Sequence, residues 1–143
     1  MSKLKVEVSS SELRRFRRQA KRLFPREILS VLAGEVSSGL VRVHWISTPP
    51  TVGTKESVAL TQEDWAEARK LFRKEGLQFL GTIHTHPYNI MVSNSLSSED
   101  VCGAAEIGEK IYAVCTVWRP DGEKFRTHVQ WYGGGPNLEV KHT

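Results

Sequence analysis

The sequence predicts a mixed α/β domain: one central sheet flanked by two main helices. Three observations carry this. Leu13, Phe16, Ala20 and Leu23 recur at helical spacing, as do Trp65, Ala68 and Phe72. Leu40-Val41-Arg42-Val43-His44-Trp45-Ile46 alternates apolar and polar residues, the mark of a strand with one solvated face. Three further runs, at 77–83, 111–118 and 124–132, are rich in strand formers. A chain of 143 residues fits one domain over 1–143, and this length buries roughly 70% of the surface its unfolded form exposes.

In chain order, the first helix begins near Ser10 or Ser11 as N-cap and ends at Pro25, with Leu13, Phe16, Ala20, Leu23 and Phe24 inward. Ile28 to Gly34 reads as a short buried strand that the glycine ends. Ser37-Ser38-Gly39 is a turn into the strand 40–46, and Pro49, Pro50 and Gly53 make 47–57 a loop. Thr61-Gln62-Glu63-Asp64 resembles a capping box opening the second helix, with Trp65, Ala68, Leu71 and Phe72 inward and Gly76 as C-cap. The strand from Leu77 follows, ending at Pro87. After it come the loop Tyr88 to Leu96 and a short helix from about Ser97 to Gly108. Strands from Ile111 to Trp118 and Lys124 to Tyr132 are joined through Pro120-Asp121-Gly122. The expected core spans about 10–132, with 133–143 as a flexible C-terminal tail.

Composition excludes several classes. No segment approaches the roughly 20 apolar residues that span a bilayer, so no membrane partner is expected. The start, Met1-Ser2-Lys3-Leu4-Lys5, lacks the apolar core of a signal peptide. Two cysteines, Cys102 and Cys115, are too few for a disulfide framework and point to a reducing compartment, hence the cytoplasm. The net charge of +4 is concentrated in Arg14, Arg15, Arg17, Arg18, Lys21, Arg22 and Arg26. Such a run is ordinarily the solvated face of an amphipathic helix. A nucleic-acid surface is the sharper alternative, but no aromatics are interleaved on the basic side, which argues against it.

The chemistry concentrates in His84-Thr85-His86-Pro87, followed by Ser97-Ser98-Glu99-Asp100, with Glu27 far upstream in Pro25-Arg26-Glu27-Ile28-Leu29. Two histidines one residue apart on a strand point to the same face. Neutral imidazoles so placed suit zinc, and a carboxylate completes a three-ligand site with one position left for water. His44, His128 and His142 have no partner spacing and read as surface residues. Cys102, two residues after Asp100, reads as a packing residue.

These residues resemble the JAMM (MPN+) zinc metalloproteases, in which a glutamate before an apolar strand is followed by His-x-His-Pro and then Ser-x-x-Asp. Glu27, His84, His86, Ser97 and Asp100 match in that order, and the resemblance spans about Ser10 to Tyr132. It implies the cytidine-deaminase-like MPN fold, a mixed sheet flanked by helices. It also implies that His84, His86 and Asp100 bind zinc, that Glu27 is the general base and then acid, and that Ser97 stabilises the oxyanion. Ten residues separate His86 from Ser97, a longer connection than the family's usual one. Such a loop can bulge without moving Asp100, because closure cost grows slowly with length. Ser93 and Ser95 are the rival serines and Glu35 the rival glutamate.

The activity so implied is hydrolysis of a peptide or isopeptide bond after the tail of a ubiquitin-like or sulfur-carrier protein. Two other classes stand beside it. One is a catalytically silent scaffold of the same fold, which would show missing ligands, and none is missing from the motif. The other is a nucleic-acid-associated metal protein using the basic helix. Nothing in the sequence sets the oligomeric state.

Overall fold

The computed structural model describes residues 4–55, 58–88, 110–120, 123–133 and 138–143. In chain order these form β1 (Leu4–Val8), α1 (Ser10–Leu23), β2 (Ile28–Ser37), β3 (Leu40–Ile46), β4 (Thr51–Val52) and α2 (Gln62–Glu75). Then come β5 (Gln78–Tyr88), β6 (Ile111–Trp118), β7 (Arg126–Tyr132) and β8 (Leu138–His142). The strands make one mixed sheet in the order β7-β6-β5-β2-β3-β1-β8, with β4 pairing β2 off that path. β2 runs antiparallel to β3 and β5, and β7 antiparallel to β6; β5/β6, β1/β3 and β1/β8 are parallel.

α1 forms where the apolar spacing predicts it. Leu13, Phe16 and Ala20 are its buried positions, and the cap is Ser9, one residue before the predicted pair, whose side chain accepts from the Glu12 amide. Glu12 ties the helix to the end of β3: its Oε1 accepts from the Ile46 amide at 3.0 Å and from Arg15 Nη2 at 2.8 Å. Arg15 Nη2 also donates to the Ile46 carbonyl at 2.6 Å. α2 carries the predicted caps. The Asp64 amide donates to Thr61 Oγ1 at 3.1 Å, and Gly76 takes the left-handed conformation, its N–H bonded to the Phe72 carbonyl.

The two helices lie on opposite faces of the sheet, and strand parity shows it. Ile28 and Leu32 of β2, Ile83 of β5 and Ala113, Cys115 and Val117 of β6 pack with Leu13, Phe16 and Ala20 of α1. Val31 and Ala33, the alternate residues of β2, pack with Ala68 and Phe72 of α2, beside Trp45, Trp65 and Phe79. The Trp65 ring stands edge-on to Phe79 with centroids 4.7 Å apart. Although β7 and β8 are at opposite ends of the strand order, they touch, and α1 touches β3, β6 and β7. The sheet therefore curls around α1.

Several boundaries differ from the sequence reading, each for a tertiary reason. β2 does not stop at Gly34 but continues to Ser37, passing a bulge at Ala33/Gly34. Gly34 is needed because a Cβ there would collide with the Arg42 carbonyl, not because it ends the strand. β5 likewise runs through Pro87 to Tyr88. Leu71 is exposed at 41%, since the α2 interface is a narrow aromatic stripe that it misses. The expected tail 133–143 contains β8, which pairs in parallel with β1, and both strands lie outside the expected 10–132 core. Neither could be found from its own residues, because β1 is held by β3 and β8. The loop 89–96, the predicted helix 97–108 and the Asp121-Gly122 turn lie outside the described residues. Among the described residues no helix is long and apolar enough to cross a membrane.

Candidate metal centre

The candidate site is built at the C-terminal end of β5. Leu29 of β2 pairs with His84, Ser30 with Ile83 and Val31 with Thr82. The ladder closes at Leu29–His84, with Glu27 two residues before it on one segment and His86 two residues after it on the other. Opposed residues share a face and side chains alternate along a strand, so His84 and His86 lie on the side of Leu29 and Val31, the α2 side of the sheet.

The end of β5 is fastened to the start of β2 by a side chain from the other face. Thr85, between the two histidines, is 1% exposed, and its Oγ1 accepts from the Ile28 amide at 2.8 Å. The Glu27 backbone is held from the opposite direction: its N–H donates to the Thr54 carbonyl at 2.7 Å and its carbonyl accepts from Gly53 at 2.8 Å. These bonds fix Glu27 at the junction of the 53–54 loop and β2. The residue is only 8% exposed. A carboxylate so buried is unusual on composition alone.

His84 and His86 are half-buried, and their Nε2 atoms face each other at 3.1 Å. Two nitrogens each about 2.0–2.1 Å from one tetrahedral zinc stand about 3.3 Å apart. The imidazole pair is thus spaced as two ligands of one ion, and its donor set suits zinc. Among the described residues no third His, Cys, Asp or Glu joins them in a cluster of three. Ser97 and Asp100, and the rivals Ser93 and Ser95, lie outside the described residues, as does Cys102.

The rival glutamate is elsewhere. Glu35 pairs with Arg42 in β3, beyond the point where β5 begins, and its exposed carboxylate meets His44 Nε2 at 3.1 Å. His44 and His128 are exposed, as predicted. A residue missed by sequence reasoning is Thr116 of β6, fully buried and paired with His86 on the same face. The signal for it was present: alternation along Ile111–Trp118 puts Thr116 on the face opposite to Ala113, Cys115 and Val117.

A family model described as prokaryotic homologs of the JAB domain matches residues 9–131. The chain belongs to this JAB/MPN family. The matched span runs from the α1 cap to the penultimate residue of β7 and contains all five motif positions. The fold agrees: the solution structure of protein DSY2949 from Desulfitobacterium hafniense superimposes with a TM-score of 0.64 at 16% identity, covering 96% of this chain and 94% of that one. At that identity the likeness speaks for the fold alone. No curated protein matches the chain. For this JAB-family member, β1 and β8 complete the sheet at and beyond the ends of the matched span.

Proposed function

We propose that this JAB-family chain is a zinc-dependent peptidase or isopeptidase acting after the extended tail of a ubiquitin-like or sulfur-carrier protein. The observation that carries the reading is the pair of Nε2 atoms facing each other at 3.1 Å. His84 and His86 would hold the ion, with Asp100 as the carboxylate the motif supplies. Zinc held there supplies Lewis-acid activation of water, which makes a nucleophile usable at neutral pH.

The chain's own residues have separate tasks. Glu27 takes a proton from the attacking water and returns it to the leaving amine. Its backbone bonds to Gly53 and Thr54 fix where that carboxylate starts, so the transfer needs only side-chain motion. Thr85 keeps β5 in register with β2, and so keeps the histidines beside Glu27. Ser97 donates to the oxyanion that develops on the substrate carbonyl, where one lost donor typically costs about 10²–10³ in rate. The substrate tail binds extended by strand addition, which favours small residues before the cut. The cytoplasm is the compartment proposed for this activity, as the cysteine usage suggests.

The test is metal content by elemental analysis together with cleavage of a panel of ubiquitin-like fusions, with and without chelator. One zinc per chain and chelator-sensitive cleavage after the tail are expected. A chain that purifies and refolds without zinc, or cleavage that persists in chelator, removes the reading.

A further inference from the structure

The two helices carry their charge differently. α2 interleaves four acids, Glu63, Asp64, Glu67 and Glu75, with four bases, Arg69, Lys70, Arg73 and Lys74. α1 has six bases, Arg14, Arg15, Arg17, Arg18, Lys21 and Arg22, against the single acid Glu12. That acid is engaged with the Ile46 amide and with Arg15. Arg14, Arg18, Lys21 and Arg22 are exposed, and none of them pairs with an acid among the described residues. Arg22 meets only a neutral partner, its Nη2 donating to Gln19 Oε1 at 3.1 Å.

Helical geometry gathers these four cations into one stripe, about 12 Å long from Arg14 to Arg22. Arg14 with Arg18, and Arg18 with Arg22, are like charges four residues apart, a spacing that destabilises a helix. The helix dipole favours Lys21 and Arg22 in the last turn but does nothing for Arg14 and Arg18. Keeping a face in water requires charge, not charge of one sign, as α2 illustrates. A polyanion laid on the stripe turns that repulsion into attraction.

We infer that the exposed stripe of α1 binds duplex DNA through its phosphates, without reading sequence. An acidic protein partner needs a desolvated apolar or aromatic centre besides charge. Among the described residues the exposed large hydrophobics are Val36, Val52 and Leu71, none of them on α1. An anionic membrane needs an apolar face to insert, and that of α1, Leu13, Phe16 and Ala20, is buried in the core. Single strands bind by stacking on aromatics, and Phe16, the one aromatic of α1, points inward. Duplex RNA is recognised largely through its 2′-hydroxyls, to which a row of cations offers no acceptor. Duplex DNA presents one negative charge per about 1.7 Å of axis, and three arginine forks and a lysine match its phosphates. α1 lies on the sheet face opposite to the histidines, so this binding does not depend on the proposed peptidase activity.

Fluorescence anisotropy of the full chain with short labelled DNA duplexes of two unrelated sequences tests this. Both should bind alike, and log affinity should fall against log salt with a slope of about −3 to −4, the value for four neutralised phosphates. The double substitution Arg14→Gln/Arg18→Gln should halve that slope and weaken binding by about tenfold or more at low salt. Arg73→Gln/Lys74→Gln removes the same charge from α2 and should leave the slope unchanged. With like-charge pairs removed, the α1 variant should melt no lower than the parent. If it does not fold, the parent's slope and a competitor series decide. Absence of binding at about 100 µM protein in low salt overturns the proposal. So does a slope indifferent to the α1 substitutions, or an equal loss in the α2 variant. Tighter binding to single-stranded DNA, duplex RNA, polyglutamate or phosphatidylserine vesicles than to duplex DNA overturns it as well.

Discussion

The two faces of the sheet are packed on different principles. Under α1 the interface is continuous and apolar, running from Val6 and Val8 through Ile28, Leu32 and Ile83 to Val117 and Trp131. Under α2 the buried apolar set is small, Val31, Ala33, Ala68 and Phe72 with aromatic neighbours. On that side β5 changes character along its length: Phe79 packs on Trp65, and His84 and His86 follow toward the other end. One face stabilises the sheet; the other spends half its length on groups that packing alone would not select. Ile83 and His84, adjacent on one strand, belong to the two regimes.

That adjacency gives the sharpest tests, beginning with activity. His84→Ala should reduce cleavage to the chelator-treated background and release the zinc. In the presence of chelator its unfolding free energy should stay within about 1 kcal/mol of the parent. A large loss of stability in chelator would make His84 a packing residue like its neighbour. Glu27→Gln should lower turnover by about 10²-fold or more with zinc retained; unchanged turnover, with loss in Glu35→Gln, would transfer the proton to the exposed glutamate.

Ile83→Ala should cost about 2–5 kcal/mol by denaturant unfolding, since its side chain is fully buried in the α1 core. A cost under 1 kcal/mol would mean that the α1 face is as loosely packed as the other. At the helix under the histidine face, Thr61→Ala should cost about 0.5–2 kcal/mol through the lost cap. Asp64 is coupled to the same cap. Hydrogen bonds from the Thr61 and Thr51 side chains hold its carboxyl below the usual 3.8. The Asp64 contribution is present above that value and is lost as pH falls through the lowered one.

The smallest effect concerns Cys115, on the α1 face. Burial pushes its thiol from 9.0 up to about 12, outweighing the fields of Arg17 and Lys21. The folded chain keeps a proton that the unfolded chain loses above pH 9. This contribution is therefore full below about pH 9 and lost as pH rises toward 12. Replacing Cys115 by Ala should flatten that alkaline decline, and the native thiol should resist thiol reagents until the chain unfolds. Rapid labelling in the native state would show that the α1 core opens locally.

The sequence by itself determined the pieces that depend on neighbours in the chain. The periods of α1 and α2, the Thr61 and Gly76 caps and the shared face of His84 and His86 follow from local geometry, in which side chains repeat every 3.6 or every two residues. The order of the JAMM-like residues was also readable, and with it the family. Only the tertiary structure decided what meets across the chain. The β2/β5 register sets His84 opposite Leu29, two residues after Glu27, and the β2/β3 pairing leaves Glu35 with His44. The β1/β8 pairing draws an expected tail into the sheet, and the curl of that sheet brings β7 against β8. Register and closure depend on strand pairs separated by tens of residues, whereas hydrophobic periodicity reports only which side of an element is buried.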